Sequence, residues 1–260
     1  MLEKVASVRV ASARDLVAAS EALNGAWFRG EGNPTWRLKS TLERDAERFG
    51  VARVALWERE QAMLRLFKQR AHLYADQSEY PRSEFEWYAL IRHYGGPSRL
   101  LDITSSCFVG AYFALAGAQP ARDGVVWAFR NGGVTAKQEV DVDPQFQRQP
   151  HPEVIIATPE RANLRLSAQS GAFFVPGCVE TSLEVQLGKM YDTDFNGQAI
   201  QYRSVQHIAK QSHHRVWKLV IVRAAHGEIF RFLSSCNIRG YLLVPGPEGL
   251  ANSLREVMRE

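Results

Sequence analysis

Cysteine is scarce in this sequence: the 260 residues include only Cys107, Cys178 and Cys236. Three cysteines this far apart are too few for a disulfide framework, and they lack the spacing of a zinc site. No apolar run is long enough for a transmembrane helix, and the N-terminus lacks the apolar segment of a signal peptide. These absences predict a cytoplasmic protein with reduced cysteines and no membrane association.

Several familiar site signatures are absent as well. The sequence contains no P-loop, no dinucleotide-binding G-x-G-x-x-G and no nucleophile-elbow G-x-S-x-G. The adjacent His213 and His214 have no third ligand at metal spacing, and neighbouring residues point apart on a strand. Glu153, Glu180 and Glu184 are scattered rather than paired. We therefore expect no metal site.

The composition is that of an ordinary globular chain. It is 45% hydrophobic and 23% charged, and 260 residues can bury a full core. No boundary divides the chain, so we expect a single domain over residues 1–260. The net charge is +4, which permits an anionic partner such as nucleic acid or a dinucleotide without demonstrating one.

The hydrophobic pattern predicts an α+β fold with a mixed sheet and helices concentrated in the N-terminal half. The predicted helices cover 12–23, where Ser12 is the cap, and 41–74, 84–94, 105–118 and 247–258. The predicted strands cover 26–32, 99–103, 124–130, 153–158, 171–177, 215–223 and 241–245. Glu60 lies on the apolar face of the second helix, which is unusual for a carboxylate.

Arg29 ends the first of these strands beside Gly30, where a backbone can approach a ligand closely. An arginine there can hold a phosphate or carboxylate with two parallel hydrogen bonds. Taken alone, such a residue is more often explained by a structural ion pair with a nearby carboxylate, because those pairs are far commoner than ligand sites.

The stretch LIRHYGGPSRLLDIT, residues 90–104, is dense in polar side chains beside apolar ones. Residues three apart on a strand point to opposite faces, so Arg99 and Asp102 each need a separate partner. Pairs between Arg29 and Asp102 and between Arg99 and Glu60 are chemically sensible, and they are compatible with a structural role. His93, at the end of the preceding helix, is compatible with a core position or with acid–base chemistry.

Two long motifs stand out: WFRGEGNPTWRLKSTLERD, beginning at Trp27, and HYGGPSRLLDIT, beginning at His93. Together they resemble the FRG domain, a bacterial and phage family named for its Phe-Arg-Gly motif. Ile103 stands where the family usually has Trp. The stretch RLSAQSGAF, with Arg165 and Gln169, and the C-terminal segment also resemble family features.

The resemblance implies an ADP-ribosyltransferase-like fold and a toxin or phage-defence enzyme that uses NAD as substrate. It implies that Arg29 contacts the NAD phosphates or the nicotinamide-side ribose and that Gly30 lets the backbone approach the nicotinamide amide. Arg99 and Asp102 would form a second polar wall.

The same resemblance places His93 and Tyr94 against the cofactor, by stacking or hydrogen bonding. It makes Glu248 the candidate late acidic residue, with Asp102 or Glu60 as alternatives. The implied acceptor is a macromolecule, with nucleic acid favoured, and an antitoxin or immunity protein is a further expected partner.

Two other functions stay open on the sequence. One is a non-catalytic nucleic-acid-binding module of a defence system, because the chain is basic and carries Trp and Arg residues suited to stacking and phosphate contacts. The other is a metal-independent nuclease with His93 as general base.

Overall fold

The computed structural model describes residues 2–74, 80–119, 121–130, 142, 146, 153–160 and 163–258. Its strands are β1 Glu3–Lys4, β2 Ala6–Val10, β3 Trp27–Glu31, β4 Leu101–Thr104, β5 Gly124–Phe129, β6 Val154–Ala157, β7 Gly171–Pro176, β8 Thr193–Asp194, β9 Ile200–Tyr202 and β10 Val216–Ile221. Its helices are α1 Ala13–Ala22, α2 Thr41–Arg48, α3 Leu56–Ala71, α4 Glu84–His93, α5 Cys107–Ala116, α6 Leu164–Ala168, α7 Leu183–Tyr191, α8 His207–Lys210, α9 His226–Ser235, α10 Gly240–Leu243 and α11 Pro247–Ser253.

The main sheet has the strand order β6-β7-β4-β3-β5-β10-β2-β9 in the part of the chain that the structure describes. In this order, each pair of neighbouring strands from β6 as far as β10 is antiparallel, whereas β10 pairs in parallel with β2 and β2 pairs in parallel with β9. This confirms the predicted α+β class with a mixed sheet. Across the described ranges, no helix has the length and apolar character needed to cross a membrane.

Local sequence signals account for several helix starts. Ser12 and Ser40 each accept a hydrogen bond from the backbone N–H three residues on, and Glu43 completes a capping box with Ser40. Pro247 opens α11, where its missing N–H is not needed.

The helices cover the sheet in three groups. On one face, α7 packs over the apolar residues of β4, β5 and β7. On the opposite face, α1, α5 and α9 cover β2, β3, β5 and β10, while α3 and α4 cover β6 and β7. The boundary between these last two groups falls where β3 meets β4.

Two predicted elements were wrong. The helix predicted over 41–74 is divided into α2 and α3, because Gly50 adopts a φ of +67° after α2 ends. The strand predicted over 241–245 is largely helical, since α10 spans Gly240–Leu243. A short apolar run does not distinguish a buried helix from a strand.

Gly30 shows why the first motif needs a glycine. A Cβ at Gly30 would overlap the carbonyl oxygen of Gly110 and the amide nitrogen of Ala114, both on α5. Phe28, which precedes it by two residues, is buried in the same core group as α5. The glycine therefore lets β3 lie directly against the backbone of α5. Its expected contact with a ligand stays a prediction.

We expect Gly30→Ala to reduce the free energy of unfolding by about 3 kcal/mol, because the added methyl group meets backbone that cannot rotate away. Gly227→Ala is the matched control, since a Cβ there meets only Arg231 at 3.5 Å. Urea denaturation measures both. Equal stability of Gly30→Ala and the wild type would contradict the packing explanation.

Candidate functional site: a cleft where two strands separate

The sheet is interrupted between β3 and β4. These two strands share the single register pair Phe28–Thr104 in the described structure, whereas β3 pairs with β5 along its whole length. Beyond Phe28 the strands separate, and the helices above them separate at the same place. A cleft opens there.

Arg29 lies in this opening and is held at two points. Its Nε donates to Glu31 Oε1 at 2.7 Å, and its Nη1 donates to the backbone carbonyl of Asp102 at 2.7 Å. The side chain is only 12% exposed. Arg29 therefore bridges the two separated strands in place of ladder hydrogen bonds, and its guanidinium is fixed before any ligand arrives.

Asp102 is bound chiefly by Arg92, which the sequence reasoning missed. Arg92 Nε and Nη2 donate to Asp102 Oδ2 at 2.9 and 2.6 Å, while Arg29 Nη1 lies 4.0 Å from the same oxygen. Burial alone would raise the pKa of the Asp102 carboxyl, but the charges of Arg92 and Arg29 lower it below its usual value. Asp102 is therefore an anion at neutral pH.

The cleft has a volume of about 260 Å³. Its charged lining consists of three arginines and two carboxylates, which leaves one positive charge in excess: Arg29, Arg92, Arg165, Glu31 and Asp102. Within the described ranges, the side chain of Arg165 forms no hydrogen bond or ion pair. An anionic group entering the cleft would therefore find one guanidinium with free donors beside two that are already oriented.

Arg44, on α2, adds to the positive potential of the cleft. Its Nη1 donates to the carbonyl of Lys39 at 2.6 Å. Partial burial and then the charge of Arg29 lower the pKa of the Arg44 guanidinium, which places it within electrostatic range of the cleft. Sequence spacing did not reveal this residue.

The remaining walls are apolar or weakly polar. They comprise backbone and side chains of β3, β4, α5 and α6, together with Trp36: Phe28, Gly30, Gly32, Trp36, Ile103, Thr104, Phe113, Ala116, Gly117 and Gln169. Gln169 Nε2 donates to the carbonyl of Leu243, and Thr104 Oγ1 donates to the carbonyl of Gln169. The RLSAQSGAF stretch thus reaches the same cleft as the two main motifs.

Four predicted site residues lie outside this lining: His93, Tyr94, Arg99 and Glu248. His93 Nδ1 is 3.3 Å from Asn163 Nδ2, and burial followed by the charge of Arg165 lowers the pKa of His93, with Glu248 opposing. His93 is therefore within electrostatic range of Arg165, which lines the cleft, and of Glu248. Tyr94 is 73% exposed at the end of α4.

Arg99 is not part of the cleft, which corrects its predicted role in cofactor binding. Its side chain is 1% exposed, and its Nε lies 2.9 and 3.0 Å from the two carboxylate oxygens of Glu60. The guanidinium carbon is 5.0 Å from the ring centroid of Phe146 and 5.8 Å from those of Tyr88 and Trp57. The predicted Arg99–Glu60 pair is present, and it removes both residues from contact with a ligand.

The interpretation of His213 and His214 also needs correction. They lie in a turn before β10 rather than on a strand, so their rings do not point apart but lie 4.2 Å from each other. Glu3, distant in sequence, lies close to both rings.

Fold and cleft together define a mixed α+β protein with a positively charged opening inside its sheet. Residues 24–123 match the family model of the FRG domain. This match covers both long motifs and confirms their resemblance to that family. No curated protein and no solved structure matches the chain.

We expect Arg99→Met to lower the free energy of unfolding by about 3–5 kcal/mol, because Glu60 would remain buried and unpaired. The double variant Glu60→Leu with Arg99→Met should lose less than Arg99→Met alone. Arg65→Met, on the exposed face of α3, is the control and should change stability by about 0.5 kcal/mol or less. Urea denaturation compares the four proteins, and wild-type stability in Arg99→Met would contradict this interpretation.

A second prediction concerns pH. Because the folded-state pKa of Asp102 is lowered, its stabilisation is complete above the unfolded pKa of about 4 and disappears as the pH falls through the folded value. We expect Asp102→Asn to be less stable than the wild type by a constant amount from about pH 7 to 5, and by a shrinking amount below about pH 4.

Urea denaturation at each pH measures this difference, and Asp45→Asn serves as the control. The carboxylate of Asp45 forms no ion pair within the described residues, so its replacement should cause a much smaller loss at pH 7. A stability difference between Asp102→Asn and the wild type that grows toward low pH would contradict a lowered pKa of Asp102 in the folded state.

Proposed function

We propose that the protein is a toxin or phage-defence ADP-ribosyltransferase that binds NAD in the β3–β4 cleft and modifies a macromolecule, with nucleic acid as the acceptor. The observation that carries the proposal is Arg29, which bridges the separated strands and presents an oriented guanidinium inside an electropositive cleft. Preoriented donors and charges of this kind stabilise a bound anion and a developing charge without reorganisation.

The charge and the size of the cleft suit the pyrophosphate and the nicotinamide ribose of NAD. Arg165, with its free donors, and Arg29 would hold the pyrophosphate of NAD. A volume of about 260 Å³ is slightly below the usual range of about 300–1,000 Å³ for ligand pockets, so the cleft would enclose part of the dinucleotide. The reactive nicotinamide ribose is the part that gains most from exclusion of water.

Asp102 is our candidate for the acidic residue. In the proposed step the bond between ribose C1′ and nicotinamide breaks, nicotinamide leaves with the electron pair, and an acceptor oxygen or nitrogen attacks C1′ and loses its proton. An anionic carboxylate beside C1′ would stabilise the positive charge of the transition state. Asp102 lines the cleft, Glu60 is paired inside the core, and Glu248 lies outside the lining, within electrostatic range of His93.

The acceptor would lie at the margin of the cleft. Trp36, which is 42% exposed, and Tyr94 offer aromatic faces on which bases can stack. His93 would contact the adenosine side of NAD or the acceptor. The cytoplasmic location and an antitoxin or immunity partner stay predictions.

The test is release of nicotinamide from NAD by the purified chain, measured by chromatography, with and without mixed DNA and RNA. We expect release by the wild type and a loss of about 100-fold or more in Arg29→Ala, which removes a principal donor. Asp102→Asn should lose a comparable factor. Arg65→Ala should retain wild-type release, and circular dichroism checks that each variant is folded.

Other outcomes would redirect the function. Absence of nicotinamide release with every acceptor, or equal release by folded Arg29→Ala, contradicts the proposal. Salt-dependent gel shifts without NAD consumption would instead support the nucleic-acid-binding module. Cleavage of nucleic acid in EDTA that disappears in His93→Ala would support the nuclease.

A further inference from the structure

Outside the cleft, one corner of the molecule brings together three metal-ligating side chains from distant parts of the chain. Glu3 comes from β1, and His213 and His214 come from the turn before β10. One ligand atom from each residue lies within 4.8 Å of the others. Glu3 Oε1 is 3.8 Å from His213 Nε2 and 3.7 Å from His214 Nδ1.

The ring of His214 is the most buried of the three side chains. Its side chain is 2% exposed, and its Nδ1 forms no hydrogen bond of good geometry within the described structure, although the backbone of Lys4 is close enough to interact with the ring. The separation of 3.7 Å from Glu3 Oε1 is too long for a hydrogen bond. A buried ring nitrogen that faces a carboxylate without bonding to it is suited to a role as a metal ligand.

Tyr202, on β9, holds this ring in a suitable orientation. Its hydroxyl oxygen is 2.8 Å from His214 Nε2. When Nε2 donates its proton to that hydroxyl, the lone pair of Nδ1 points toward Glu3. Metal-binding histidines usually have such a partner on the second ring nitrogen, which fixes the tautomer and the ring plane.

We propose that Glu3, His213 and His214 bind a Zn²⁺ ion. Two imidazole nitrogens and one carboxylate oxygen are a donor set that zinc accepts, with a further position left for water. Zinc bonds of about 2.0–2.1 Å place tetrahedral ligand atoms about 3.4 Å apart. The present separations of 3.7 and 3.8 Å are close to this value, and Glu3 and the half-exposed His213 have room to adjust.

Nearby charged side chains affect the affinity of this corner for Zn²⁺. Arg130 lies within electrostatic range of His214 and opposes a cation, whereas Glu3 supplies the compensating negative charge. The ion would join β1, which pairs with β8, to the turn that leads into β10 of the main sheet. None of the three ligands lines the β3–β4 cleft, so this site is independent of the proposed transferase activity.

The test is calorimetric titration of the EDTA-treated and desalted full chain with ZnCl₂, followed by thermal denaturation with and without the ion. We expect one Zn²⁺ per chain and a higher melting temperature, because the ion binds the folded state. His213→Ala and Glu3→Gln should lose this binding event. Tyr202→Phe should bind about tenfold more weakly, since it loses the partner of Nε2.

His72→Ala is the matched control, because His72 is an exposed histidine at the end of α3. It should bind Zn²⁺ as the wild type does. Co²⁺ in place of Zn²⁺ should give a visible absorption spectrum in the wild type and in His72→Ala but not in His213→Ala. A wild type that binds no Zn²⁺, or binding that persists unchanged in His213→Ala and Glu3→Gln, would overturn the proposal.

Discussion

The hydrogen bond from Arg29 to the backbone carbonyl of Asp102 is the interaction on which the cleft depends. It lies where the ladder between β3 and β4 has ended, after the pair Phe28–Thr104. A side chain replaces backbone pairing there, so the two strands stay connected while remaining apart. Glu31 fixes the same guanidinium from the other side. The cleft is therefore part of the sheet architecture rather than a gap between surface loops.

The position of β3 follows from its other neighbours. It pairs with β5 along its full length, and Gly30 brings it against the backbone of α5. Phe28 anchors the strand in the core, Arg29 spans the opening and Gly30 permits the close packing of the helix. Each residue of the Phe-Arg-Gly motif thus has a separate physical task, and Arg29 is the one that presents a charged group to the cleft.

The second motif also places its two charged residues, Arg99 and Asp102, in different environments. Residues three apart near a strand point to opposite faces, so Arg99 enters the core while Asp102 reaches the cleft. Sequence reasoning anticipated this separation, and it identified the Arg99–Glu60 pair because a carboxylate lay on an apolar helix face. It did not show that the pair would withdraw Arg99 from any ligand, since burial depends on Tyr88, Trp57 and the distant Phe146.

Much of the fold could be predicted from local signals, and much of the site could not. Capped helices such as α1 and apolar strands such as β5 and β7 follow from periodicity and capping residues. Glu31 carried no signal beyond its position in the first motif, and the role of Arg92 depends on how α4 lies over β4. Glu3 and His214 are more than 200 residues apart in sequence, and only the tertiary fold brings them together.

A crystal structure with a non-hydrolysable NAD analogue would test the role of the cleft most directly. The analogue should lie with its nicotinamide ribose between β3 and β4, its pyrophosphate against Arg29 and Arg165, and its C1′ beside the carboxylate of Asp102. Binding of the analogue elsewhere on the molecule, or an empty cleft at millimolar analogue, would contradict the assignment of this opening as an NAD site.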